Sequence, residues 1–95
     1  MWQVTVHHHD KDWRNGDLED KFELVESKNF KTRKAAKEYI LNKLKGFKEV
    51  AQRWHKGEEP SWCYGYTGVT WQHENSGEQM EEYYQYTLKK VKLRG

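Results

Sequence analysis

The residues best suited to chemistry form one short run near the start of the chain, TVHHHDKDW, from Thr5 to Trp13. The run contains three histidines and two aspartates within nine residues. Imidazole nitrogens and carboxylate oxygens are ligands of zinc and related metals, and both groups can transfer protons. The run therefore supports two interpretations, a metal or catalytic site and the polar end of a β-strand.

The alternation that precedes the run indicates a strand. Trp2, Val4 and Val6 alternate with polar residues, the period of two expected of a half-buried strand, and the pattern predicts that this strand reaches about His9. Successive side chains of a strand point to opposite faces. His7 is therefore predicted to share the exposed face with His9, while the middle histidine lies at the edge of the core.

A metal site at this place would need more than two imidazoles. His7 and His9 could bind zinc, copper or nickel only together with a further ligand. The candidates for that ligand are Asp10, Asp12 and His73. The spacing is permissive but unspecific, so the soluble strand end is the favoured interpretation and no cofactor is predicted. A metal-dependent hydrolase using His7, His9 and His73 is the alternative.

Other predicted reaction centres are weaker. Cys63, the only cysteine, could form a thiolate nucleophile with His55 or His73, but the spacing suggests no third group to orient them. A small buried thiol is the favoured interpretation. The seven glycines are scattered and form no phosphate-binding loop. The sequence therefore predicts that the protein is not an enzyme.

Length and composition predict a single domain over residues 1–95. Hydrophobic residues make up 35% of the chain and charged residues 34%, yet five Trp, six Tyr and three Phe are present. These aromatic residues are too many for a disordered chain and are expected to build the core. No apolar stretch approaches the ~20 residues that a membrane span needs, so a soluble, cytoplasmic protein is expected.

The first predicted elements are a hairpin and a helix. KFELVES is predicted to pair with the first strand in antiparallel fashion, with Asn15-Gly16 suited to the turn. From the N-cap Thr32, an apolar stripe predicts one long helix that ends at Lys56-Gly57. Gly46 could break or bend this helix, but the stripe keeps its phase there and one helix is favoured. The stripe consists of Ala36, Ile40, Leu44, Phe47, Ala51 and Trp54.

The remaining segments predict a second antiparallel hairpin. SWCYGYTGVTWQH and EQMEEYYQYTLKKVKL are rich in aromatic and β-branched residues, and ENSGE supplies turn residues between them. A bulge near Gly65 or Gly68, or a strand apolar on both sides, would explain its imperfect alternation. The alternation is imperfect because the apolar residues change from even-numbered to odd-numbered positions within the segment. The even-numbered ones are Trp62, Tyr64 and Tyr66, and the odd-numbered ones are Val69 and Trp71. The predicted fold is α+β, with the order β-β-α-β-β and one long helix on one face of a four-stranded antiparallel sheet.

One helix covers one face of a sheet, so the surplus of aromatic residues predicts a second, uncovered face. Besides the helix stripe, the predicted core contains Trp2, Val4, Val6, Phe22, Leu24, Phe30, Tyr84, Tyr86 and Leu88. The residues left for the other face or its edge come from Trp13, Val25, Trp62, Val69, Trp71 and Tyr83. An uncovered aromatic face indicates a partner site or a homodimer interface, with Trp71 and Tyr83 as its predicted contacts. A loop or the C-terminal tail folded over this face is the alternative.

Charge is unevenly distributed along the chain. Residues 28–56 hold ten basic and two acidic side chains, whereas residues 10–26 hold three basic and seven acidic ones. Four lysines of the predicted helix share one flank and span about 21 Å, which could meet phosphates or an acidic protein groove. These are Lys34, Lys37, Lys45 and Lys48. A solvated lysine face is the alternative interpretation.

These features predict a non-enzymatic module that binds a macromolecule. A protein target, free or in a complex with nucleic acid, is favoured because six acidic residues crowd residues 58–82, which supply many of the aromatics. A nucleic-acid-binding regulator that uses the lysines and the sheet aromatics is the alternative. In size and lack of a catalytic motif the chain resembles small accessory proteins of phages and mobile elements, among them inhibitors of host defence nucleases. The resemblance implies a stoichiometric inhibitor or regulator in the cytoplasm of a bacterial host.

Overall fold

The structure, a computed structural model, describes residues 1–14, 17–67, 71–72 and 79–92. It describes the backbone but not the side chains of residues 12–14, 17–19, 71–72 and 79–81. The predicted turns at Asn15-Gly16 and ENSGE lie outside the described residues, as do the predicted positions Gly68, Val69 and His73. Trp13 and Trp71 are described as strand residues only.

The described residues form one helix and an antiparallel sheet. In chain order the elements are β1 (Trp2–Arg14), β2 (Asp17–Phe30), α1 (Arg33–Leu44), β3 (Glu49–Arg53), β4 (Ser61–Tyr66), β5 (Trp71–Gln72) and β6 (Gln79–Lys90). The sheet order is β2-β1-β6-β4-β3, and the two-residue β5 also pairs with β6. The α+β class, the hairpin of β1 with β2 and the pairing of β4 with β6 are confirmed. The predicted strand number is wrong, because five strands rather than four form the main path of the sheet.

The helix is shorter than its apolar stripe predicts. It begins after Thr32, whose Oγ1 accepts a hydrogen bond from the Ala35 backbone N–H at 3.1 Å, and it ends at Leu44. Gly46 lies in the turn that follows. Glycine inside a helix costs roughly 1 kcal/mol relative to alanine, and this position outside the helix avoids that cost. The chain then forms β3, which pairs with β4 and covers an edge that would otherwise be open.

The helix packs on one face of the sheet, here called the helix face. Ala36, Ile40 and Leu44 lie one turn apart and are buried. The buried core consists of these residues with Val4, Val6, Cys63, Tyr86 and Leu88. At 1.5 Å per residue the 12-residue helix is about 18 Å long, less than half the length of 13-residue β1 at ~3.3 Å per residue. Within the described ranges, no helix combines the length and the apolar character needed to cross a membrane.

A bulge in β2 changes which of its side chains face the helix. Val6 lies opposite Glu26, but the next residue of β1, His7, lies opposite Leu24, so Val25 is an extra residue. One extra residue reverses the face of every side chain beyond it. The prediction that Phe22 and Leu24 belong to the core is therefore wrong, and both side chains are more than half exposed.

The sequence does not decide which side chains of β4 point toward the helix, but their burial in the structure does. Ser61, Cys63 and Gly65 are buried toward the helix, whereas the aromatic side chains between them lie on the other face. The pairing of β4 with β6 runs without a register shift from Ser61 to Tyr66, so no bulge occurs at Gly65. The alternation is thus regular within β4, and a small residue is needed at position 65 because the Phe47 ring lies over it.

One hydrogen bond joins the helix to β2 and gives a prediction for alkaline pH. The Tyr39 hydroxyl donates to Glu26 Oε1, and this bond, with burial, raises the pKa of Tyr39 to about 12. The bond stabilises the fold fully below the unfolded-state pKa near 10, and this stabilisation is lost as the pH rises from 10 through 12. In an NMR titration of tyrosine ring carbons, the resonance that is lost in Tyr39→Phe should titrate near 12. Titration of that resonance near 10 would contradict the contact.

Candidate functional site: the open face of the sheet

The face of the sheet opposite the helix is here called the open face. Two of the three histidines of the run lie on this face as part of a strand. β1 continues through the run to Arg14, and its alternation places His7 and His9 on the open face. The middle histidine, His8, lies on the helix face, where its ring contacts Tyr84 at 4.9 Å. His8 Nε2 lies 3.0 Å from Glu82 Oε1, and hydrogen bonds with His8 and Thr67 hold the pKa of Glu82 below its usual value.

Six aromatic rings form a continuous row across four strands of the open face. From β2 to β4 this ring row consists of Phe22, His7, His9, Tyr83, Tyr64 and Tyr66. Phe22 stacks on His7 at 4.6 Å with an interplanar angle of 6° and meets His9 edge-on at 5.7 Å. Tyr83 continues the row, 4.5 Å from His9 and 5.6 Å from both tyrosines of β4. Such pairs gain roughly 0.5–1.5 kcal/mol each beyond simple burial, so the row holds its own rings in place.

The histidines of the row act as aromatic surfaces. The Nδ1 atoms of His7 and His9 are buried and have no hydrogen-bond partner. His9 Nε2 contacts Asp20 Oδ1 across the hairpin. A metal ion at His9 would therefore have to displace Asp20 from Nε2 or reach the buried Nδ1.

The structure brings together only part of the predicted metal set. His7 and His9 share a face, but Asp10 follows on the other face, the side chain of Asp12 is not described, and His73 lies outside the described residues. Among the described residues no group of three or more His, Cys, Asp or Glu side chains could hold a metal ion. Cys63 is buried, and that burial raises the pKa of its thiol.

Uncharged polar side chains surround the ring row on the open face. Opposite residues of neighbouring strands share a face, which places amides and hydroxyls beside the rings. These are Gln3, Thr5, Ser27, Asn29, Gln85 and Thr87. The described charged side chains of this face nearly balance. They are Lys11, Arg53 and Lys89 against Asp20 and Glu49.

The predicted lysine row is not continuous, because its helix ends early. Lys34 and Lys37 lie on α1, but Lys45 is the residue that caps its end and Lys48 lies in the loop before β3. Lys37 Nζ is 4.9 Å from the centre of the Trp54 ring, so this lysine already has an aromatic partner within the chain. The two helical lysines and the ring row lie on opposite sides of the sheet and do not form one surface.

The structure describes the side chains of only some of the aromatic residues predicted for the uncovered face. Tyr83 lies at the centre of the ring row, and Trp62 lies on the same face opposite Thr87. Trp71 is in β5 opposite Met80, and its side chain is not described. Of the six rings, the sequence prediction named only Tyr83 as a contact of this face. It missed Phe22, the two histidines, Tyr64 and Tyr66 as members of the row. The signal for the histidines was present in the alternation of β1, but the bulge that brings Phe22 beside them has no comparable signal.

Comparison with models of protein families, with curated proteins and with solved structures finds no match to this chain. The geometry of the open face is therefore the basis for assigning a function.

Proposed function

We propose that this chain is a non-enzymatic binding module whose open face holds a partner protein. The observation that carries the proposal is the ring row, a band of aromatic side chains bordered by amides and hydroxyls with almost no net charge. Centres of protein interfaces are enriched in aromatic residues and depleted of charge. Tyrosine offers a large contact area with little loss of side-chain freedom.

The balance of charge favours a protein over a nucleic acid. Nucleic-acid surfaces track phosphates with rows of Lys or Arg, and affinity depends on them. The open face has three described cations and two described acidic groups, and the lysines of α1 are on the far side of the sheet. A polyanion on the ring row would therefore meet little positive potential.

The buried thiol supports the non-enzymatic part of the proposal. Cys63 is 1% exposed and has a raised pKa, the opposite of what a thiolate nucleophile needs. Occupation of a partner's surface is then the mode of action, as a stoichiometric inhibitor or regulator. The resemblance in size and lack of a catalytic motif to accessory proteins of phages and mobile elements is consistent with this role.

Photo-crosslinking in bacterial cells tests the proposal. A benzophenone amino acid replaces Phe22 or Tyr66 in the ring row, and in control variants it replaces Lys34 or Asn42, which are exposed on the helix. We expect one and the same protein to be captured from both ring-row positions and from neither control position. With that protein purified, Tyr66→Ser should weaken binding by about tenfold or more, since interface tyrosines often contribute over 1.4 kcal/mol.

Three results would contradict the proposal. They are the absence of any adduct from the ring row, adducts that nuclease removes, and capture that is equal from the ring row and from the helix. Circular dichroism of each variant confirms that the fold is retained.

A further inference from the structure

The outer edge of β2 is open to another strand. β2 is the last strand on one side of the sheet, and no strand of the described residues pairs with its outer backbone groups. The helix meets β2 near its end, where Tyr39 contacts Glu26 and Phe30. Residues 20–25 lie farther along, toward the hairpin turn. Unpaired N–H and C=O groups of an edge strand can accept an extended segment as a new strand.

This part of the edge carries the most exposed apolar side chains of the described residues. Phe22 is 52% exposed, Leu24 is 59% exposed and Val25, the extra residue of the bulge, is 52% exposed. Phe22 also belongs to the ring row through its stacking on His7. An added strand would therefore extend the apolar surface of the proposed binding face.

Charge defines the kind of segment that this edge can accept. From Asp20 to Glu26, β2 holds three acidic residues and one basic residue, a net charge of −2. The acidic residues are Asp20, Glu23 and Glu26, and the basic residue is Lys21, which lies opposite Asp10 of β1. Near the exposed apolar side chains, Glu23 and Glu26 point to the helix face while Phe22 and Leu24 point to the open face. A strand that alternates basic and apolar residues would match both faces.

A second copy of β2 matches this edge less well than a basic strand does. Each copy carries a net charge of −2 from Asp20 to Glu26, and antiparallel pairing centred on Glu23 also places Glu23 opposite itself and Asp20 opposite Glu26. Like charges directly opposite each other destabilise a sheet. The acidic edge therefore favours a different, basic strand over self-association.

We infer that the outer edge of β2, from Asp20 to Glu26, binds an extended segment of the partner in which lysine or arginine alternates with apolar residues. The inference rests on the proposed function and adds the chemistry of the segment that is bound. Backbone hydrogen bonds to β2 hold the segment, and its apolar side chains pack on Phe22 and Leu24. Its basic side chains pair with Glu23 and with Oε2 of Glu26, whose Oε1 accepts the hydrogen bond from Tyr39.

A peptide titration of the whole chain tests the inference. The probe is a capped peptide of about ten residues that alternates lysine and valine, and NMR follows the backbone amides of the protein. We expect shifts centred on residues 20–26 and binding that weakens as salt is added. The matching peptide of glutamate and valine should bind at least about tenfold more weakly, because its charges repel Glu23 and Glu26.

Two controls separate strand addition from simple ion pairing. A lysine-valine peptide that is N-methylated at consecutive central residues keeps its charges but cannot donate from either edge, and it should lose about tenfold or more in affinity. In the protein, Glu23→Lys should weaken binding of the unmodified peptide, whereas Glu38→Lys, the same change at an exposed helix position, should leave it within about twofold.

The outcomes distinguish the inference from the proposed function. Equal binding of the three peptides, shifts away from β2, or a dimer whose β2 amides are protected would overturn the inference. If the ring row still captures one protein in the crosslinking experiment, the proposed function then stands without it. If the ring row captures no protein, the proposed function fails whatever the peptides do.

Discussion

Leu88→Ala is expected to lower the free energy of unfolding by about 2–5 kcal/mol, the usual cost of truncating a fully buried leucine. Leu88 is 1% exposed and lies on β6 opposite Val4 and Ser61, in the centre of the core under the helix. The loss is a large fraction of the roughly 5–15 kcal/mol that stabilises a small domain. Urea unfolding followed by circular dichroism measures it.

Leu24→Ala is the matched control, since it makes the same chemical change on another strand of the same sheet. Leu24 is exposed on the open face beyond the bulge, so its truncation is expected to change the free energy of unfolding by about 0.5 kcal/mol or less. Comparable losses for the two variants would contradict the register of β2. They would instead support the simple alternation that places Leu24 in the core.

Gly65→Ala is expected to destabilise the fold by about 1–3 kcal/mol, although alanine is normally better than glycine in a strand. A Cβ atom at position 65 would lie 2.5–2.7 Å from three carbons of the Phe47 ring. The ring cannot easily move away, because Phe47 also packs against Tyr84 and Tyr86. Urea unfolding again gives the magnitude.

Gly46→Ala is the control for the same substitution without a close contact. The nearest atom to a Cβ at position 46 is the Lys43 carbonyl oxygen at 3.6 Å, an ordinary contact distance. We expect this variant to be neutral or slightly more stable than the parent protein. Replacing Phe47 by leucine should restore part of the stability of Gly65→Ala, and a lack of any such coupling would show that Phe47 does not cover Gly65.

Local patterns of the sequence predict the helix start, both hairpins and the face of β1 correctly. Thr32 can cap a helix through its own hydroxyl, and the alternation of Trp2, Val4 and Val6 depends only on neighbouring residues. The length of the helix was not predictable in this way. Phe47, Ala51 and Trp54 keep a helical spacing by chance, and β3 forms instead because β4 offers it a pairing edge.

An aromatic sheet face without a helix was predictable from the sequence, but most of the residues that form it were not. A single helix leaves one sheet face without a helix, and Tyr83 lies on that face as this argument predicts. The sequence did not decide the face of Trp62, which the structure places on the open face. The bulge at Val25 depends on how β2 fits against β1, and no residue of KFELVES signals it. Because a bulge reverses the face of each side chain beyond it, Phe22 and Leu24 leave the predicted core and join the open face.

Hydroxyl-radical footprinting of the whole chain tests most directly the central claim that the ring row stays open to a partner. Mass spectrometry of the free protein reports the oxidation rate of each aromatic side chain. Phe22 and Tyr66, on the open face, should be oxidised several times faster than Tyr86, which is 6% exposed under the helix. Protection of Phe22 and Tyr66 equal to that of Tyr86 would mean that the chain covers this face itself, and the account would be contradicted.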